Sequence, residues 1–149
     1  MPKKSSITKK IEEAKEILKG LGLPLAQQNE ISALTLLALC GIKPNDPWAK
    51  SYRHSLTVSK GVMDFTATEF RKRYAPNTRE TVRRQVLHQF VQAYLADYNP
   101  DDPALPTNSP RAHYAITESA LAVIKTFGTK DWHVSLQRFA AQHGRLAER

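Results

Sequence analysis

The chain has 149 residues, a length that suits one compact domain. Its 22 lysine and arginine residues exceed its 14 acidic residues, so the net charge is +8 and a polyanionic partner is expected. The single cysteine, Cys40, excludes a disulfide framework and a cysteine-based zinc site. The apolar run around it is much shorter than the ~20 residues of a membrane span. We therefore expect a cytoplasmic protein with no membrane partner.

The first part of the chain predicts two N-terminal helices over residues 7–41. Apolar residues recur every three or four positions from Ile7 to Leu21, which is the pattern of an amphipathic helix. Asn29 is placed to cap a second helix, which Gly41 would end. Leucine covers nearly every side of this second helix. That distribution predicts a central, buried helix.

Residues 62–93 predict a helix-turn-helix. An apolar stripe indicates a first helix that stops near Tyr74, because Pro76 disfavours helical geometry in the residue before it. A turn of about three residues is expected next. Asn77 is expected to cap the second helix, with Glu80 completing a capping box. The second helix is expected to bury an apolar seam made of Val82, Val86, Phe90 and Ala93.

A wing is predicted after this unit, over residues 94–116. Two short strands are expected at 94–98 and 111–116, and the prolines between them exclude regular structure. A strand, a loop and a strand directly after a second helix form the layout of a winged helix-turn-helix. Residues 117–143 predict two C-terminal helices, the first capped by Thr117. The expected fold is therefore mainly α-helical with a small β-hairpin wing.

Positive charge is concentrated around the predicted turn and second helix. Residues 70–90 contain six basic residues and one acid, so +5 of the net +8 lies there, where an even spread would place about +1. Such a concentration is typical of a surface that binds phosphates. The side chains expected to contact DNA phosphates are those of Arg71, Lys72, Arg73, Asn77, Arg79 and Arg83.

The polar face of the second helix, opposite the apolar seam, carries side chains that hydrogen-bond base edges. Arginine pairs with guanine and glutamine with adenine, while threonine and histidine pair with several base atoms. In a helix-turn-helix, the N-terminal part of the second helix meets the bases. The residues expected to contact bases are Thr78, Thr81, Arg84, Gln85 and His88.

Catalytic chemistry is not expected in this chain. The histidines lack metal-ligand spacing, and no serine or cysteine has the setting of a nucleophile. We therefore expect no catalytic residue, metal ligand or cofactor. Two alternatives stay open: a free-standing winged-helix transcriptional regulator that dimerises through its final helix, and an active Mg²⁺-dependent nuclease.

Several runs of the sequence resemble the BsuBI/PstI type II restriction endonucleases. These runs are 26–30, 32–39, 74–81, 83–85, 88–90, 99–101 and 108–110. The resemblance spans roughly residues 18–132. It implies a winged helix-turn-helix domain that binds double-stranded DNA at the palindrome CTGCAG, and a separate C-terminal nuclease domain that cuts with Mg²⁺. The sequence carries no acid–acid–lysine set, so we expect residues 1–149 to be one DNA-binding domain without the catalytic domain.

The resemblance has three further implications. The full-length enzyme would be cytoplasmic in a bacterium or archaeon, with a homodimer as one possible assembly. Three wing residues, Asn108, Ser109 and Arg111, are expected beside the DNA. The family pattern also calls for a glycine where the second helix enters the first wing strand, and Tyr94 stands there instead.

Overall fold

The computed structural model describes residues 4–102, 104–106 and 109–147, with side chains as far as 143. Its helices are α1 (Lys4–Gly20), α2 (Glu30–Cys40), α3 (Val58–Met63 and then Asp64–Phe70), α4 (Thr78–Thr81, Val82–Leu87 and His88–Gln92), α5 (Glu118–Ile124) and α6 (Trp132–Ala147). Its strands are β1 (Leu56–Thr57), β2 (Ala96–Tyr98) and β3 (His113–Ile116). Single 3₁₀ turns occur at Leu25–Gln27 and Trp48–Lys50.

Helix α2 forms the centre of the core, as its leucine content predicts. It is buried from Ser32 to Cys40 and packs against α1, α3, α4 and β3. The Asn29 side chain accepts a hydrogen bond from the Ser32 backbone N–H at 2.9 Å, and Gly41 ends the helix at φ 66°. Burial raises the pKa of the Cys40 thiol to about 12. Cys40 is therefore a core residue without thiolate character at neutral pH.

Helix α3 ends at Phe70, so the expected end near Tyr74 is wrong. Arg71 adopts a left-handed backbone with φ 56°. The Lys72 N–H then donates to the Thr66 carbonyl at 3.1 Å, which closes the helix. Pro76 limits how far a helix can extend but does not determine where it stops. The turn therefore covers residues 71–77 and is longer than the three residues expected.

Helix α4 begins without the predicted capping box. Asn77 has helical dihedral angles, and its side chain makes no capping hydrogen bond. The preceding turn supplies the acceptors instead, because the N–H groups of Thr78 and Arg79 donate to the carbonyls of Ala75 and Pro76. Glu80 is therefore available to bind other side chains.

The apolar seam of α4 lies in the core as expected. Val82, Val86 and Phe90 are buried, while Ala93 is half-buried. Leu87 is also fully buried. Its burial follows from the wider π-helical winding of Val82–Leu87, which brings residues five apart onto one side of the helix.

The wing is a three-stranded antiparallel sheet in the order β1-β3-β2. Strands β2 and β3 fall within the predicted ranges, and Tyr98 lies opposite Tyr114. Strand β1 pairs Leu56 with Tyr114. It lies within residues 48–60, where the sequence shows neither a helical nor a strand pattern of hydrophobic residues. At two residues, β1 is too short for alternating hydrophobicity to reveal it.

Tyr94 adopts the backbone conformation for which a glycine was expected. Its φ is 65°, which costs a residue with a side chain about 1–2 kcal/mol. Its ring stacks on His143 with a centroid separation of 4.6 Å, and the Thr117 hydroxyl donates to its carbonyl at 2.7 Å. These contacts offset the backbone cost, so the entry to the wing keeps its geometry without glycine.

Asn99 fixes the start of the wing loop, and replacing it is expected to destabilise the fold. It is fully buried at φ 46°, and its Oδ1 accepts from the His113 N–H at 2.8 Å. We expect Asn99→Ala to lower the free energy of unfolding by about 1–2 kcal/mol, because alanine loses this bond and tolerates positive φ poorly. Urea denaturation measures the change. Asn45→Ala, at an exposed turn position, is the control, and equal stabilities for the two variants would contradict the assignment.

The last two helices pack back onto the domain. The Thr117 side chain caps α5 by accepting from the Ala120 N–H at 3.2 Å, as predicted. In α6, Phe139 is buried and the Trp132 ring meets Phe127 edge-on at 5.0 Å. These aromatic side chains therefore belong to the core of this chain.

Candidate nucleic-acid interface

The expected base-contacting residues lie on the outer part of α4. Arg84, Gln85 and His88 are exposed, whereas Thr78 and Thr81 are half-buried. A ring nitrogen of His88 lies 3.1 Å from the Gln92 side-chain nitrogen. Because the seam on the other side of the helix is buried, α4 presents its hydrogen-bonding side chains to solvent.

The expected phosphate-contacting residues surround the beginning of α4. Arg71, Arg73 and Asn77 are exposed, and Lys72 is half-buried. The Lys72 ammonium group lies 3.3 Å from a carboxylate oxygen of Glu30 at the start of α2. This ion pair links the turn to the central helix.

Glu80 binds the other two expected phosphate contacts. Its carboxylate accepts two hydrogen bonds from Arg83, at 3.2 and 2.8 Å, and one from Arg79 at 3.4 Å. The hydrogen bond from Arg83 lowers the pKa of Glu80, and the same bond raises the pKa of Arg83. Glu80 is therefore ionised throughout the neutral range and holds both guanidinium groups at the edge of α4.

Replacing Glu80 is expected to strengthen DNA binding. Glu80→Gln removes a negative charge from a phosphate-binding surface, so we expect about two- to fivefold tighter binding of any duplex at low salt. Fluorescence anisotropy with a labelled duplex measures the change, and the gain should shrink at high salt. Glu16→Gln, on the exposed side of α1, is the control. Weaker binding by Glu80→Gln would mean that the carboxylate is needed to position its arginines.

A cleft separates α4 from the wing strands. It has a volume of about 540 Å³ and is lined by Arg83, Arg84, His88, Val91, Tyr98 and Tyr114. The two tyrosine rings lie 5.1 Å apart at an angle of 43°. Burial raises the pKa of Tyr114 to about 12, with the neighbouring Tyr98 adding to the shift. The Tyr114 hydroxyl is therefore protonated and can donate a hydrogen bond at neutral pH.

The tyrosines of this cleft were not among the residues expected to contact DNA. A tyrosine in each of two short predicted strands is a weak signal, and the strand register is needed to bring them together. Of the expected wing residues, Arg111 is exposed and Ser109 half-buried, with the Arg111 N–H donating to the Ser109 hydroxyl at 3.1 Å. Asn108 lies outside the described residues.

Other kinds of site find little support in the described part of the chain. There, no group of three histidine, cysteine or acidic side chains lies close enough to hold a metal ion. The described donors therefore do not fit the Mg²⁺ that the family resemblance implies for the nuclease domain. Across the same residues, no helix combines the length and apolar character needed to cross a membrane.

Comparison with known proteins identifies the family. Residues 8–148 match the model of the BsuBI/PstI restriction endonuclease HTH domain. The chain is 44% identical to the type II restriction enzyme BsuBI of Bacillus subtilis over 139 residues, which cover 93% of this chain and 44% of that enzyme. It is 33% identical to the type II restriction enzyme AplI of Arthrospira platensis over 131 residues, or 88% of this chain and 40% of that enzyme.

A solved structure agrees with the sequence relatives. The structure of the SdaI restriction endonuclease matches with a TM-score of 0.85 and 36% identity, over 89% of this chain and 41% of that one. The chain thus spans about two-fifths of the length of each of these relatives. The match confirms the winged helix-turn-helix architecture and the resemblance noted in the sequence. The chain belongs to the BsuBI/PstI restriction endonuclease HTH domain family.

Proposed function

We propose that this chain is the DNA-recognition part of a type II restriction enzyme. The observation that carries the proposal is the exposure of Arg84, Gln85 and His88 on the outer side of α4. The family model that this chain matches is that of an HTH domain. Two of the relatives named above, BsuBI and AplI, are type II restriction enzymes.

The contacts divide by chemistry. The outer side of α4 reads base edges in the major groove, with Arg84 suited to guanine and Gln85 to adenine. The basic turn and the edge of α4 contact phosphates and set the orientation of the domain without reading sequence. In the wing, Ser109 and Arg111 contact the neighbouring sugar–phosphate backbone of the DNA.

The same proposal includes a DNA target site and a second domain that carries the nuclease activity. The target is the palindrome CTGCAG, which two copies of the domain would read through its two-fold symmetry. The domain is non-catalytic by itself, and a C-terminal nuclease domain of the full-length enzyme holds Mg²⁺ and cuts the strands.

Anisotropy titrations of the chain with two labelled duplexes test the proposal. One duplex contains CTGCAG, and the other has the same composition in scrambled order. We expect at least about tenfold tighter binding of CTGCAG, and weaker binding of both duplexes as salt rises from about 50 to about 200 mM. Equal affinities would reject the base-reading role, and no binding at low salt would reject DNA recognition.

The non-catalytic assignment has its own test. Plasmid carrying CTGCAG is incubated with the chain and Mg²⁺, and the products are separated by gel electrophoresis. We expect the plasmid to stay intact. Discrete fragments would show that the chain is a nuclease in its own right.

A further inference from the structure

The cleft between α4 and the wing contains a buried hydroxyl group that no described residue pairs. The Tyr98 hydroxyl is buried there and has no hydrogen-bond partner among the described residues. The Tyr114 hydroxyl belongs to the neighbouring ring, whose centroid lies 5.1 Å from that of Tyr98. Buried polar groups are nearly always paired in folded proteins, so an unpaired one needs an explanation.

The charges around this cleft indicate what kind of group would pair with these donors. Arg83 and Arg84 line the cleft, and Arg79 lies close enough to lower the pKa of Tyr114 together with Arg83. Arg79 and Arg83 form ion pairs with the carboxylate of Glu80, and the charge of Arg84 also acts on it, so three guanidinium groups surround this carboxylate. Two hydroxyl donors beside a surplus of positive charge suit a ligand with several anionic oxygens. A phosphodiester has this chemistry.

We propose that this cleft binds one sugar–phosphate unit of the DNA strand that passes from α4 to the wing. The phosphate oxygens accept from the hydroxyls of Tyr98 and Tyr114 and from Arg83, which turns from Glu80 towards the phosphate. The sugar lies against Val91. The volume of about 540 Å³ accommodates this unit with water. This inference rests on the proposed function and adds the wing tyrosines to the residues that contact DNA.

The position of the cleft supports a backbone ligand over an extruded base. Tyr114 is only 4% exposed, so its ring face is not open for a base to stack on. Strands β2 and β3 hold both tyrosines rigidly through their pairing. A phosphate needs only the hydroxyl edge of each ring, whereas a stacked base needs a free face.

Removing single hydroxyl groups tests the inference. Tyr98→Phe and Tyr114→Phe are each expected to weaken binding of the CTGCAG and scrambled duplexes by the same factor, about three- to tenfold, because phosphates carry no sequence information. Tyr52→Phe, on an exposed tyrosine outside the cleft, should bind as the unchanged chain does. Circular dichroism melts of all three variants confirm that each is folded.

Duplexes with one neutral methylphosphonate locate the phosphate. At one backbone position this substitution should weaken binding by the unchanged chain more than it weakens binding by Tyr98→Phe, because that variant has already lost one of the hydrogen bonds to this phosphate. Additive losses at every position would overturn the inference, as would Phe variants that bind normally. A fluorescence rise from 2-aminopurine in CTGCAG on binding would also overturn it in favour of an extruded base. If the unchanged chain binds no duplex, the proposed function itself fails.

Discussion

Phe90→Ala is expected to lower the free energy of unfolding by about 3–5 kcal/mol. Phe90 is fully buried on the inner side of α4, so truncation removes apolar contacts and leaves a cavity that the rigid surroundings cannot fill. Helix α4 carries the expected base contacts on its other side. The same variant should therefore also bind DNA poorly at temperatures near its lowered melting point. Urea denaturation with anisotropy on the same samples measures both effects.

Val134→Ala is the matched control for this loss of stability. Val134 lies on α6 and is 48% exposed, so removing its methyl groups leaves no buried cavity. We expect its stability to stay within about 0.5 kcal/mol of the unchanged chain. If Phe90→Ala were equally mild, α4 would not be held by its apolar seam, and its outer side would have no fixed direction.

Arg84→Ala and Gln85→Ala are each expected to cost about 1–3 kcal/mol in binding to CTGCAG, with a much smaller loss for scrambled DNA. Both side chains are exposed on α4, so their removal should leave folding unchanged. Each substitution removes hydrogen bonds to a base edge, and the loss depends on the base at that position. Anisotropy against duplexes with single base changes shows which position becomes tolerant.

Arg73→Ala separates base reading from charge. Arg73 is exposed in the turn before α4, and we expect it to contact a phosphate. Its removal should weaken binding of every duplex equally and reduce the slope of log affinity against log salt by about one. If Arg84→Ala and Gln85→Ala behaved in the same way, the outer side of α4 would contact only the backbone.

Periodicity and composition predicted most of the fold because the relevant signals are local. Asn29 begins α2 and Gly41 ends it. Asparagine is a preferred residue before a helix and glycine after one, so both ends can be predicted from residue type alone. The seam of α4 follows from helical spacing, and the wing strands from their position between helices and prolines. The resemblance calls for a glycine at the entry to the wing, and Tyr94 has a left-handed backbone at that position.

Features that depend on contacts distant in the sequence were not predictable in the same way. The early end of α3 depends on the left-handed backbone of Arg71. Because glycine and asparagine are the residues that usually adopt this conformation, an arginine does not predict it. Strand β1 forms only because β3 offers it a free edge. Glu80 lies three residues after Asn77, which is the spacing of a capping box, and three residues before Arg83, which is the spacing of a helical ion pair. The structure shows that Glu80 forms the ion pair.

Amide chemical-shift mapping tests the central claim most directly. The ¹⁵N-labelled chain is titrated with a CTGCAG duplex, and shift changes are assigned along the sequence. If the outer side of α4 enters the DNA groove, the largest changes should fall between Thr78 and His88, with a second group in β2 and β3. Changes concentrated in α1 or α6, with α4 unaffected, would contradict the account.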